Sequence, residues 1–254
     1  MTMKRILSIL LLLLLFNVMS FGQKDKHYTI HGVKFTMKFV KGGSFMMGAT
    51  KEMGEHDNDE IVHNAKVESF YIGETEVTQE LWEAVMGKNP SKFHGKNHPV
   101  EWITWDDCQK FIAKLNTMTN QHFRLPTEIE WEYAARGGCY SKHYRYAGSN
   151  NLEEVAWCWK NAGGLDTEHQ PVGLKKPNEL GLYDMTGNVS EWCQDYYNPY
   201  GTDPMQEPCN LARRKFRVIR GGCYNNSDYY LRVSNRNVFI HWRHDDNLGL
   251  RLAQ

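Results

Sequence analysis

The hydrophobic pattern changes character twice along the chain. Residues 6–15 form an apolar run, interrupted only by Ser8, behind Lys4 and Arg5 and ahead of Ser20-Phe21-Gly22. A basic start, a short apolar run and a small-x-small site predict a secretory signal peptide over residues 1–22, with the mature chain beginning at Gln23. The run is too short for a good membrane span. The segment "HYTIHGVKFTMKFVKGGSFMMG" then alternates and carries β-branched and aromatic residues, which predicts strands broken at Gly42-Gly43 and Gly48. "AKVESFYIGETEV" reads as a further strand. Helical spacing appears next, in three places. Leu81, Trp82, Val85 and Met86 share one face before Gly87. Cys108, Phe111, Ile112 and Leu115 come after a Thr104–Asp107 cap, and "PTEIEWEYAARGG" pairs Thr127 with Glu130 before Gly137-Gly138. Beyond residue 138 glycine, asparagine and aromatics crowd the chain. Only residues 216–219 and 248–252 look like strands. The expectation is an α+β fold: one irregular domain over residues 23–254, without repeat or linker, its second half poor in regular structure.

Composition narrows the function. Lysine plus arginine and aspartate plus glutamate stand at 30 each. That balance supplies no electrostatic reason for a nucleic-acid or anionic-membrane partner. Eight tryptophans and 13 tyrosines suit recognition surfaces, although many must serve the core. The six cysteines, Cys108, Cys139, Cys158, Cys193, Cys209 and Cys223, all lie beyond the expected cleavage site. An even number in an exported chain favours disulfides, with the pairing open. No C-x-x-C, H-E-x-x-H or G-x-S-x-G occurs. The "KEMGEHDNDE" stretch has Asp57 and Asp59, but Ile61 and Val62 stand where a calcium loop needs a ligand and a glycine, so it reads as a solvated loop. Near the C-terminus, "RVIRGGCYNNSDYYLRVSNRN" breaks at Gly221-Gly222 and presents Cys223 as a nucleophile, half of a disulfide or a small filler.

Several stretches, taken in order, resemble the formylglycine-generating enzyme (sulfatase-modifying factor) family: "VKGGSFMMG", "FYIGETEVTQELWEAVMG", "FRLPTEIEWEYAARGG", "GLYDMTGNVSEWCQD", "RVIRGGCYNN" and "NLGLRLA". The resemblance covers about residues 30 to 254 and implies a compact fold related to C-type lectins. Family members oxidise a sulfatase cysteine with copper held by two cysteines, three and eight residues after the end of an R-G-G-S motif. Cys223 stands at that serine, so the two thiol positions fall on Asn226 and Leu231. Neither supplies the sulfur that Cu(I) requires. The family's tryptophan in G-N-x-W-E-W is Ser190 here. The resemblance therefore implies a chain without the copper chemistry. It also implies structural calcium, carried by the side chains of Asp184 and Glu191 and the carbonyls of Gly187 and Val189.

The segment after Cys223 has the composition of a binding loop. Tyr224, Asn226, Asp228, Tyr229, Tyr230, Phe239, His241, Trp242 and His244 are the candidate contacts, set among runs that look like framework. The variable proteins of diversity-generating retroelements share the lectin-like fold and diversify this segment. Most of these residues are reachable by altering adenines of an asparagine codon; Trp242 is not. The expectation is an exported, non-catalytic module that binds a protein or carbohydrate ligand through residues 224–246. The alternative is an oxidoreductase of the formylglycine-generating type.

Overall fold

The structure, a computed structural model, describes residues 24–163, 168–198, 200 and 215–254. The expected signal peptide and Cys209 lie outside these. β1 (Lys26–Ile30) and β2 (Val33–Val40) form a hairpin, and β5 (Phe70–Gly73) pairs antiparallel with β2. The hairpin turns at His31-Gly32, both at positive φ (47° and 88°), the geometry of a two-residue turn that matches strand twist. β3 (Gly43–Met47) pairs with β4 (His63–Val67) in a separate two-stranded sheet. The stretch read as one strand is thus two, split at Glu68-Ser69, each serving a different sheet. The crossing is tight at Gly42, where a Cβ would lie 2.4 Å from the Val67 carbonyl oxygen.

The three expected helices form at their caps. In α1 (Gln79–Met86) the Thr78 side chain accepts from the Leu81 N–H, and Gly87 closes the helix in the left-handed region. Both α2 (Trp105–Thr119) and α3 (Glu128–Ala135) open on complete capping boxes, Thr104–Asp107 and Thr127–Glu130. Trp82 of α1 stacks on Phe111 of α2 at 4.8 Å within a core that continues through Met37, Leu125, Trp192 and Leu250.

The second half holds more strand than its pattern suggests. β6 (Ser190–Tyr196), β7 (Phe216–Arg220), β8 (Asn237–Ile240) and β9 (Leu248–Gly249) make a four-stranded sheet in the order β8-β7-β6-β9. The sequence of β6, SEWCQDY, lacks β-branched residues and is held by pairing on both sides, antiparallel to β7 and parallel to β9. The five described cysteines are free thiols, which corrects the disulfide expectation. Cys108, Cys158, Cys193 and Cys223 are buried, each occupying a small packed site.

Buried ion pairs help to hold this second half, which is poor in regular structure. Arg220 on β7 bonds Glu132 and lies 3.3 Å from Glu128, both on α3. Arg136 binds Glu132 at 2.8 Å, and Arg236 binds Glu128 at 2.6 Å. Arg232 binds Glu60 at 2.7 Å with both side chains fully buried. Burial alone pushes the Glu60 carboxyl up, but hydrogen bonds from Arg232 and Ser234 and the Arg232 charge outweigh it and hold it below its ordinary value. Its contribution to stability is therefore full above the ordinary carboxylate range and is lost as pH falls through the lower folded-state value.

Removing one partner of such a pair strands a buried charge, at about 3–5 kcal/mol. Glu132→Ala is expected to lose that amount in urea unfolding. Glu130→Ala removes a cap and a partly exposed Arg124 pair, worth about 1–2 kcal/mol. Equal losses in the two variants would show that the Glu132 network does not carry this half of the fold.

Candidate functional site

At the end of β7, Gly221 and Gly222 take positive φ (93° and 66°). A Cβ on Gly222 would meet the Tyr230 carbonyl oxygen at 2.7 Å, so only glycine lets the chain double back over itself here. The turn buries Cys223. Its N–H donates to Asn226 Oδ1 at 3.1 Å and its thiol donates to Asn225 Oδ1 at 3.0 Å. Burial pushes the thiol up to about 12, so it is neutral in ordinary buffers and a poor nucleophile. Of the two positions where the family resemblance requires thiols, Asn226 caps this turn. Leu231 is fully buried beside Tyr146, Leu152, Val155 and Cys158.

The candidate contact residues separate into three groups. Tyr224 is buried, its hydroxyl donating to Asp246 Oδ1 at 3.3 Å. Phe239 lies on β8 and packs edge-on against Trp192 at 5.9 Å, partly in the core. The rest reach the surface in two patches. In one, Asp228, Tyr229 and Tyr230 sit on a short 3-10 turn, with the Tyr229 hydroxyl donating to Asp57 at 2.9 Å and Lys160 3.8 Å from Asp228. The loop at Asp57 and Asp59 is thus docked rather than free in solvent, since Tyr197 also donates to Asp59. In the other patch, Trp242 and His244 are exposed, and His241 lies 3.0 Å from Asp106.

Sequence reasoning missed the residues that join these patches. Trp102 has positive φ (61°) and remains partly exposed. Its N–H donates to the Asp245 carbonyl, and its indole lies against His244 at 4.2 Å. A bulky residue in the left-handed region is held there by its surroundings and marks a place worth testing for function. Lys92 bonds Asp246 at 2.5 Å, the same carboxylate that takes Tyr224. Trp159 is exposed and donates its backbone N–H to the Asn226 carbonyl. No sequence spacing points to these partners, because they come from loops distant in the chain. A cleft of about 730 Å³ lies elsewhere, between the β1–β2 hairpin and α1, and none of residues 224–246 lines it.

Of the four residues expected around calcium, Glu191 is already engaged and Asp184 only in part. Both Glu191 carboxylate oxygens accept from Arg251, and Oε2 also takes the Trp131 indole N–H at 2.6 Å. The Val189 N–H donates to Glu76, and Gly187 packs so closely on Trp157 that a Cβ there would strike its carbonyl oxygen. Asp184 accepts from the Gly173 N–H and leaves Oδ1 without a partner, its carboxyl pushed up to about 6 by burial. Among the described residues no group of three or more histidine, cysteine or acidic side chains could hold a metal. The Arg251 guanidinium supplies the positive charge that Glu191 needs, so Glu191 is not free to serve as the expected calcium ligand.

The fold and this site define a class. Residues 32–254 match the sulfatase-modifying factor enzyme 1-like domain, and the chain belongs to that family. Among solved structures it is similar to Treponema denticola variable protein 1, with a TM-score of 0.80 and 31% identity, covering 91% of this chain and 99% of that one. Chaperone protein LppX of Paenibacillus barcinonensis is 37% identical over 207 residues, 63% of this chain and 71% of the relative. Formylglycine-generating enzyme of Streptomyces coelicolor is 34% identical over 174 residues, 62% of this chain and 52% of the enzyme. The match thus spans about half of that enzyme's length.

Alkylation of the native protein, mapped by mass spectrometry, is expected to label Cys139 quickly and Cys223 only on unfolding; rapid native labelling of Cys223 would contradict its burial. A chelator is expected to leave the melting temperature unchanged, and a fall reversed by calcium would restore the metal.

Proposed function

We propose that this chain is an exported, non-catalytic member of its family that binds a protein partner through the surface built on residues 224–246. The observation that carries the reading is the state of the family's thiol positions. Asn226 and Leu231 offer no sulfur, and the neighbouring Cys223 thiol is buried and protonated. Copper-dependent oxidation has no ligands there.

The build of the segment supports binding. Residues 231–236 are all buried, with Arg232 and Arg236 in ion pairs. On either side, Tyr230 and Trp242 are 46% and 53% exposed. A rigid frame carrying exposed aromatic side chains tolerates changes in those side chains without losing the fold. That property suits a segment whose contacts vary, and similarity to a protein called variable agrees with it. The broad, mixed-charge surface suits a protein better than a small molecule, which favours a deep apolar pocket.

Purified protein supplied with copper is expected to leave a cysteine-bearing sulfatase peptide unchanged by mass spectrometry; copper-dependent conversion would restore the oxidoreductase reading. A partner found by protein-array screening is expected to bind Tyr230→Ala and Trp242→Ala at least about tenfold more weakly. Undiminished binding to both would move the contact elsewhere.

A further inference from the structure

A pair of imidazoles lies directly behind this surface. His98 Nδ1 and His169 Nδ1 are 3.0 Å apart. His169 is fully buried, with Nε2 3.6 Å from Oε1 of the equally buried Glu101. His169 Nε2 and Glu101 Oε2 have no hydrogen-bond partner. The His169 ring stands edge-on to Phe93 at 5.6 Å and to Tyr224 at 6.2 Å. Glu101 Oε1 in turn accepts the backbone N–H groups of Lys92 and Phe93 at 2.6 and 3.0 Å. Lys92 and Tyr224 meet on Asp246. A short run of direct contacts therefore leads from the imidazole pair to the surface.

Two ring nitrogens at this separation share one hydrogen: one donates it and the other accepts. The contact survives one added proton, because one ring can still offer a lone pair. It does not survive two, because both nitrogens then donate and two cations face each other. The charged groups facing the pair are Glu101 at His169 and Glu168 at His98. Lys92, Asp245 and Asp246 stand around Tyr224. From α1 the contact is backbone only, the Gln79 N–H donating to the His98 carbonyl.

We infer that acidification reshapes the binding surface through His98 and His169: when both rings are charged the pair separates, and Tyr224 and Phe93 lose the ring they rest on. This rests on the reading of residues 224–246 as the binding surface, and it adds release of the partner in mild acid. Burial, reinforced by the neighbouring His169, holds His98 below its ordinary 6.5. The folded state thus resists the second proton. The pair's contribution is full above that value and declines as pH falls below it.

The test needs no partner. Histidine and tyrosine ring signals are followed by NMR from about pH 7.5 to about pH 5. The Tyr224 signal is expected to move with the lower of two histidine steps, and His98→Gln and His169→Gln are each expected to abolish that movement. A Tyr224 signal that ignores both histidine steps, or moves identically in both variants, overturns the switch. If His169→Gln fails to fold, the partly exposed His98→Gln decides alone. A second arm repeats the titration with a partner from the array. A Tyr224 response with pH-independent partner binding upholds the switch and overturns the location of the binding surface.

Discussion

Two carboxylates on one short helix, Glu128 and Glu132, are the constraint on which the C-terminal half depends. Between them they hold Arg136 from their own helix end, Arg220 from β7 and Arg236 from the loop after it. All of these side chains are at or near zero exposure, so no charge in the set can lose its partner without a large desolvation penalty. The network fixes where the helix, the sheet and the loop meet, beside a buried apolar cluster that includes Trp131, Val218 and Val233. Arg232 with Glu60 and Arg251 with Glu191 repeat the device at two other junctions.

This arrangement separates what holds the fold from what faces solvent. The buried residues between Leu231 and Arg236 bear structural load, whereas Tyr230, Trp242 and His244 on either side of them are exposed. Tyr229 packs edge-on against Tyr230, Trp242 packs edge-on against His241, and His244 lies against Trp102. The same separation explains how a chain can keep the family's fold without thiols at positions 226 and 231. The copper positions are one capping amide and one core leucine, each performing a structural task that thiols are not needed for.

Local patterns were legible where a single element decided the outcome. The three helices, their threonine caps and the glycine stops could be read directly, because capping and apolar periodicity act within one or two turns. β6 and β8 were not legible. β6 lacks a strand signature and becomes a strand because its sheet neighbours supply hydrogen bonds, while β8 carries Val238, Phe239 and Ile240 inside a segment that reads as a binding loop. The disulfide expectation failed for a related reason: cysteine counts say nothing of distance, and the described thiols are free, four of them packed separately in the interior. For the site, the loss of sulfur at positions 226 and 231 was visible from the motif. The burial of Tyr224 and the docking of Phe239 into the core were not.

The sequence by itself determined the family, the helical half and the absence of a thiol pair, because ordered motifs and local periodicity carry that information. Tertiary structure alone decided which aromatic residues face out, which carboxylates already hold a cation, and that Trp102, Lys92 and Trp159 join the surface. Those outcomes depend on where distant loops meet. Burial, ion pairing and the close approach of His98 to His169 are properties of the packed interior, where removal from water makes every unpartnered polar group costly.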